Sequence, residues 1–450
     1  MEQFFSYSTE SKYTMAQLLD LFKSKEGLFV LESSYYDPSR GRYSFLGFEP
    51  KEIISTTGAQ SLDEARDKFR LYQRNFKTHL TPFYAGIAGF VGYEYGLYQE
   101  GVVEENESAL PDVYFGFYET VITIDHFKNE LIITSIASQE AVDCVRNAIE
   151  RFKPQADDNY QFSTRRVESA LRSNFSRESY IEAVEKVRGY IEKGDVYQVN
   201  LSQCFRLDIK DIVFDNVQLY KHLCCLSPAP FGGFIQARDF AIVSSSPERF
   251  LSLTDGVLQT RPMKGTASRG VTVESDECNK NNLIKSKKEQ AELLMITDLL
   301  RNDLGRVCEY GSVHVKSARD IEAYATVYQT TSTIEGKLKQ ELDVFDVLSQ
   351  CLPGGSVTGC PKIRATEIIR EIEPTRRGIY TGVMGYINFS GDMDFNILIR
   401  SLFIDQQSIR FQVGGGIVYD SDPTREYEET LVKAQAIQQT IFDVCQLKGA

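Results

Sequence analysis

The amino-acid sequence predicts an α+β fold. Strand-like runs come in adjacent groups, helical periodicity falls between those groups, and single strands do not alternate regularly with single helices along the 450 residues. With 42% apolar and 12% aromatic residues the chain has ample core material, which excludes a disordered protein.

Residues 1 to about 140 read as strand-rich. The runs 27–33, 43–46, 84–89, 113–124 and 131–136 are β-branched or aromatic and are closed by Gly, Pro, Asp or Asn. A helix is predicted over 61–76. Residues 139–170 turn polar, and Lys153-Pro154-Gln155-Ala156-Asp157-Asp158-Asn159 reads as a connecting loop, the one candidate boundary. From Ser176, apolar positions at Ile181, Val184, Val187 and Ile191 mark a helix that Gly194-Asp195 stops. A strand over 196–205 follows with period two, placing Tyr197, Val199, Leu201 and Phe205 on one face and Gln198, Asn200 and Ser202 on the other. A polar face on an otherwise buried strand needs partners, and a ligand is one kind of partner. Further strands are predicted at 241–246, 249–253, 383–389, 395–403 and 408–413. Helices are predicted at 286–301, 361–372 and 423–445, the first opened by the capping box Ser286-Lys287-Lys288-Glu289. No internal repeat is present.

The bulk properties exclude several functions. The longest apolar runs, 83–91 and 113–124, are interrupted and fall short of the roughly 20 residues of a membrane helix, so no membrane role is expected. The N-terminus Met1-Glu2-Gln3-Phe4-Phe5-Ser6 has no basic and apolar leader pattern, which makes the cytoplasm the expected location. Nine cysteines without paired CxxC spacing read as reduced core thiols. His79, His126, His222 and His314 sit in no recognisable catalytic motif. A net charge of -13 argues against nucleic acid, and a small anionic substrate would need locally positive groups.

Five segments bear chemistry. Gly354-Gly355-Ser356-Val357-Thr358-Gly359-Cys360-Pro361 is not a Walker loop, because Cys360 and Pro361 follow Gly359. It reads either as a Gly-rich helix entry or as backbone laid open to an anion, with Pro361 at the first helical position. Gly414-Gly415-Gly416 has the same two readings. Glu426 and Glu429 share a face of a helix capped by Asp422-Pro423, whose other face is apolar at Tyr427, Leu431, Ala434 and Ile441. Glu292 lies among apolar residues, where burial demands a cation or a proton. Carboxylates from distant helices meeting at Mg2+ would account for all three, since that ion takes few protein oxygens and keeps waters. Lys264, between Pro262 and Gly265, would be an ordinary surface amine if it stood alone.

Together with Ala291-Glu292-Leu293-Leu294-Met295, Arg301-Asn302-Asp303 and Glu426-Tyr427-Glu428-Glu429-Thr430, these segments resemble the chorismate-utilising enzymes in order and spacing. The resemblance covers about Ser176 to Leu431 and, more loosely, the N-terminal third. It implies one large α/β sandwich of two packed antiparallel sheets flanked by helices, with an N-terminal region (1–140) and a chorismate-binding region (176–445) intertwined in one unit. It also implies Mg2+ at Glu292, Glu426 and Glu429, and a general acid/base carboxylate at Glu248. Arg400 and Tyr380 match the pair that holds the enolpyruvyl carboxylate. The backbones around Gly355, Ser356 and Thr358, and around Gly414, Gly415 and Gly416, match loops that cradle the substrate's carboxylates, and Lys433 joins this substrate-binding set.

Within that family, isochorismate and salicylate synthases have a lysine where this chain has Gln198, and anthranilate synthases have a small residue where this chain has Lys264. Both positions imply amination of chorismate to 4-amino-4-deoxychorismate through a covalent Lys264 intermediate, for 4-aminobenzoate and folate synthesis. Anthranilate formation is the runner-up, and a non-catalytic binding subunit is the reading from a different class. No GxCxG-like nucleophile segment is present, so a separate glutamine amidotransferase subunit is implied as the source of ammonia. Gln329 stands where most of the family has an active-site histidine, and it cannot shuttle a proton. Cys360 replaces a common alanine. Leu31-Glu32-Ser33 resembles the tryptophan-pocket motif of anthranilate synthases, which makes tryptophan a candidate ligand; Ser227-Pro228-Ala229-Pro230-Phe231 only partly matches the second half of that motif.

Overall fold

Strands Gly86–Val91 and Val113–Tyr118 are buried at every position, so neighbours must cover both of their faces. The computed structural model shows how, and it describes residues 4–35, 41–74, 76, 78–102, 110–154, 171–210, 212–324 and 327–445. Among these residues the strands form one twelve-stranded and one ten-stranded antiparallel sheet. Phe29, Phe45, Ile242 and Phe403 of the larger sheet pack against Phe90, Tyr114, Met384 and Tyr386 of the smaller, and Phe83 joins the same cluster. This is the expected two-sheet sandwich. Edge-to-face and stacked aromatic pairs recur through the contact, including Phe83 on Tyr386 at 4.4 Å.

Helices close the outer faces. Ser61–Tyr72, Lys287–Val307 and Val344–Cys351 bury Phe69, Ile296, Leu300, Phe345 and Leu348 against the ten-stranded sheet. Met15–Phe22, Gln139–Arg151, Asn216–Leu226 and Pro423–Val444 cover the twelve-stranded sheet. Arg177–Glu192 and Lys362–Ile372 pack on the apolar side of strand Gln198–Asp208, where Val199 and Leu201 point. Strands distant in sequence lie side by side: Leu28–Glu32 pairs with Phe231–Gln236, and Gly86–Val91 with Val383–Asn388.

Two runs expected to be single strands are each divided between the sheets. The run 113–124 is Val113–Tyr118 in the ten-stranded sheet and Thr120–Asp125 in the twelve-stranded one. The run 395–403 divides in the same way into Met393–Ile397 and Ser401–Asp405. Both halves of each run are buried, so continuous hydrophobicity hides the crossing. The second crossing sets Arg400 in the left-handed region, at φ 49°.

Other differences are local. Strands Val257–Thr260, Met263–Ser268, His314–Ala323 and Val327–Lys337, and helix Val273–Lys285, are too polar to have been read from hydrophobic periodicity. Tyr197, expected on an apolar face, is 70% exposed because the strand begins only at Gln198. Leu431, placed on an apolar helix face, is exposed as well. Cys144, Cys225 and Cys278 are exposed rather than core thiols. Pro361 is the cap residue rather than the first helical residue. The Ser286 hydroxyl accepts from Glu289 N at 3.3 Å, but no return bond from the Glu289 side chain completes the capping box. Of the loop predicted at 153–159, residues 155–159 lie outside the described residues. No helix among those described is long and apolar enough to cross a membrane.

Lys362 and Asp303 join the helix bearing Glu292 to the helix that follows the Gly-rich loop. Nζ and Oδ1 are 2.7 Å apart, and both side chains are almost wholly buried. Removing one partner strands a buried charge, at a cost of about 3–5 kcal/mol. Asp303→Leu should therefore lower the denaturant midpoint markedly, and Asp303→Leu/Lys362→Met should recover most of the loss. Equal midpoints for the two variants would contradict this role.

Candidate active site

The polar face of strand Gln198–Asp208 lies against bare backbone. Asn200 pairs with Gly416, Ser202 with Gly414, and Gln198 with Cys360. A Cβ at Gly416 would stand 2.1 Å from Gln198 Nε2, and one at Gly414 2.9 Å from Asn200 Oδ1, so only glycine lets the two amides lie where they do. Gln198 Oε1 and Asn200 Oδ1 are buried acceptors with no donor among the described residues. Buried acceptors of this kind call for a donor from water or a ligand. From Gly415, whose side-chain direction is opposite to that of its two neighbours, a Cβ would come within 3.4 Å of Glu426 Oε2, 3.7 Å of Glu429 Oε1 and 3.8 Å of Lys433 Nζ. Lys433 donates to the Gly414 carbonyl at 2.9 Å and pairs with Glu429 at 2.7 Å.

Lys264 comes from Met263–Ser268, an edge strand of the ten-stranded sheet among the described residues. The pairing slips between Lys264 and Thr266, where Gly265 takes φ +72°. That bulge re-aims the lysine while Thr330 Oγ1 donates to its carbonyl. Burial pushes the Lys264 amine below the ordinary lysine range; Glu248, Glu292 and Glu429 oppose the shift and Lys433 reinforces it. Glu248 is buried just before strand Arg249–Thr254, and burial raises its pKa against the pull of a Ser356 hydrogen bond and of Lys264. Burial shifts each group in the direction of its neutral form.

Four carboxylates gather around this pair. Glu289 and Glu292 come from helix Lys287–Val307, and Glu426 and Glu429 from Pro423–Val444. Burial raises Glu289 and the Glu292 charge adds to it; burial raises Glu426 and Glu429 adds to that. At Glu429 burial is outweighed by Lys433, Lys288 and Lys264, and its pKa falls. Lys288 stands 3.8 Å from Glu292. Among the described residues no three acidic, His or Cys side chains are close enough to enclose a metal. The donor set nevertheless suits Mg2+, which needs only one or two carboxylates beside water and substrate, and like-charge repulsion at Glu426 and Glu289 is what a divalent cation would relieve. Glu289 was not anticipated as a site residue. Its signal was its spacing of three from Glu292, on one helix face.

Arg400 is half-buried, and among the described residues its guanidinium has neither a carboxylate partner nor a hydrogen bond; burial lowers its pKa against the influence of Tyr324. A desolvated guanidinium of this kind has its donors free to meet an anionic group. Tyr380 is buried with its pKa raised by burial, so its hydroxyl stays protonated and can donate. In the Gly-rich loop, the Thr358 hydroxyl donates back to Gly354 O at 3.0 Å, and Ser356 faces Glu248. A Cβ at Gly355 would meet Leu299 at 2.8 Å. Gln329 pairs with Thr266 and donates to its hydroxyl at 3.4 Å, two residues from Lys264.

A family model described as a chorismate binding enzyme matches residues 31–439. The chain belongs to the chorismate-binding enzymes. It is therefore an enzyme that acts on chorismate. It is 36% identical to aminodeoxychorismate synthase component 1 of Bacillus subtilis, over 95% of this chain and 94% of that one. It is 35% identical to anthranilate synthase component 1 of Aquifex aeolicus, over 89% and 81%. The solved anthranilate synthase component I of Streptococcus pneumoniae superposes with a TM-score of 0.78 at 30% identity, covering 90% of this chain and 93% of that chain.

A lysine whose folded pKa lies below its ordinary 10.5 binds fewer protons folded than unfolded. Stability therefore rises with pH through that window, and below it the fold bears the full cost of a buried ammonium. Lys264→Met removes this cost. It should raise the unfolding midpoint at pH 7, with the gain shrinking as the pH nears 10.5. A lower midpoint at pH 7 would contradict the burial account.

Proposed function

We propose that this chorismate-utilising enzyme aminates chorismate at C4, giving 4-amino-4-deoxychorismate for 4-aminobenzoate and folate synthesis. The observation that supports this most is the half-buried Lys264 amine, its pKa lowered by desolvation beside a Glu248 carboxyl whose pKa burial raises. The free amine bonds to ring C2, the two ring double bonds shift, and the C4–O bond breaks. Glu248 gives its proton to the departing hydroxyl, which leaves as water, and recovers one from the new C2–N bond's nitrogen. Ammonia then bonds to C4, the double bonds shift back, and the lysine nitrogen leaves C2 with the proton that ammonia gives up. The net reaction is chorismate plus ammonia to 4-amino-4-deoxychorismate plus water.

Positioning supplies the larger share of the rate. Holding an amine at attack distance can contribute on the order of 7–11 kcal/mol, more than proton transfer alone. Arg400 and Tyr380 would hold the enolpyruvyl carboxylate, and the amides of Gln198 and Asn200 face the bare strand at Gly414–Gly416. Mg2+ at Glu292, Glu426 and Glu429 would neutralise the ring carboxylate when bound. Ammonia would come from a separate glutamine amidotransferase subunit in the cytoplasm. The "component 1" in the relatives' names fits a partner of this kind. Anthranilate formation is the second reading, favoured by Leu31-Glu32-Ser33. Leu31 and Glu32 line a cavity of about 510 Å³ between the sheets, with Pro230, Phe231 and Met384, and this is where the motif would place tryptophan.

With chorismate, Mg2+, excess ammonium and aminodeoxychorismate lyase, the wild type should yield 4-aminobenzoate. Lys264→Ala should lose at least about 100-fold of that rate or turn to anthranilate, because nucleophile positioning is lost. Added tryptophan should slow the wild type if the cavity is its site. Anthranilate as the sole wild-type product would overturn the lead reading in favour of the second.

A further inference from the structure

One buried guanidinium ties together three of the segments that face the substrate. The Arg377 side chain is 1% exposed, and all five of its N–H groups are used. Nε donates to Glu373 Oε2 at 2.9 Å and Nη2 to Glu373 Oε1 at 2.8 Å. Nη2 also donates to the Asn200 carbonyl at 2.6 Å, on the strand that presents Gln198. Nη1 donates to the Val357 carbonyl at 2.9 Å, inside the Gly355–Val357 turn that presents Ser356 to Glu248, and to Thr381 Oγ1 at 3.2 Å. Its flat face lies over Tyr380, 5.5 Å from the ring centre, and over Tyr93 at 4.9 Å. Glu373 Oε1 extends the set by accepting from Ser202 N at 2.8 Å and from Ser202 Oγ at 2.9 Å.

We infer that Arg377 is the positioning residue that sets the Gly355–Thr358 turn, the Gln198 strand and Tyr380 relative to one another for the reaction on chorismate. Two of its five bonds go to the backbone carbonyls of Asn200 and Val357, where they reinforce the direct bond from Asn200 N to Thr358 O at 2.7 Å, and a pairwise ion bridge to Glu373 requires neither. A lysine there could balance Glu373, but its three donors on one nitrogen cannot replace the five spread over the guanidinium fork. The inference rests on the chain's acting on chorismate, not on which amine is made.

The test uses Arg377→Lys and the double variant Glu373→Gln/Arg377→Met, which leaves no buried charge unpaired and keeps an acceptor for Ser202. Chorismate consumed with excess ammonium is the readout, divided by the folded fraction from circular dichroism, so product identity does not enter. Wild-type consumption is the control for the functional reading itself. Both variants should lose on the order of 100-fold in kcat per folded molecule, beyond any rise in KM, while the double variant regains thermal stability lost in Arg377→Met alone. Should the lysine variant not fold, the double variant decides. A folded variant of either kind that keeps kcat within about threefold of wild type would show the ion pair to be structural only.

Discussion

Burying an amine beside a carboxyl is the constraint around which this molecule is arranged. Out of water each group resists its charged form, and each would restore the other's charge if the pair were free to transfer a proton. Burial prevails at both Lys264 and Glu248. The fold sustains this because Lys264 comes from strand Met263–Ser268 and Glu248 from the short link between strands Phe240–Ser246 and Arg249–Thr254, while the surrounding carboxylates and lysines come from helices packed on both sheets. A lysine on a flexible loop would turn its amine to solvent and regain an ordinary pKa. Here a one-residue bulge at Gly265 and a hydrogen bond to the Lys264 carbonyl hold the strand in place.

The charges around the pair do not cancel. Glu289, Glu292, Glu426 and Glu429 face Lys264, Lys288 and Lys433; burial raises the pKa of Glu289 and Glu426, and the charge of a neighbouring carboxylate adds to each shift. A divalent cation would absorb the excess carboxylate charge and offer a positive face to an anion. Arg400, at the crossing between Met393–Ile397 and Ser401–Asp405, offers another positive group.

Much of this was legible in the sequence where the signal was local. The Gly-rich runs, the Gln198 strand with its polar face and the two carboxylates on the last helix could be read from residue order and spacing. What stayed hidden has common physical causes. Runs 113–124 and 395–403 keep one hydrophobic pattern while passing from one sheet to the other, so the crossing that strains Arg400 leaves no mark. Glu289 was absorbed into a capping reading, although its carboxylate is coupled to Glu292 and Lys264 instead. Arg377 lies in Thr375-Arg376-Arg377-Gly378, where nothing in the sequence separates a buried fork from a surface charge. Polar strands such as His314–Ala323 are fixed by pairing rather than by their own periodicity.

The central claim is that Lys264 bonds to the substrate ring, and the most direct measurement is the mass of the protein itself. Wild type incubated with chorismate and Mg2+ but no ammonia, then quenched in acid, should carry an adduct of one chorismate less one water, mapped by peptide sequencing to Lys264. Rapid product formation with ammonia, together with an unmodified Lys264 at every quench time, would contradict the covalent route.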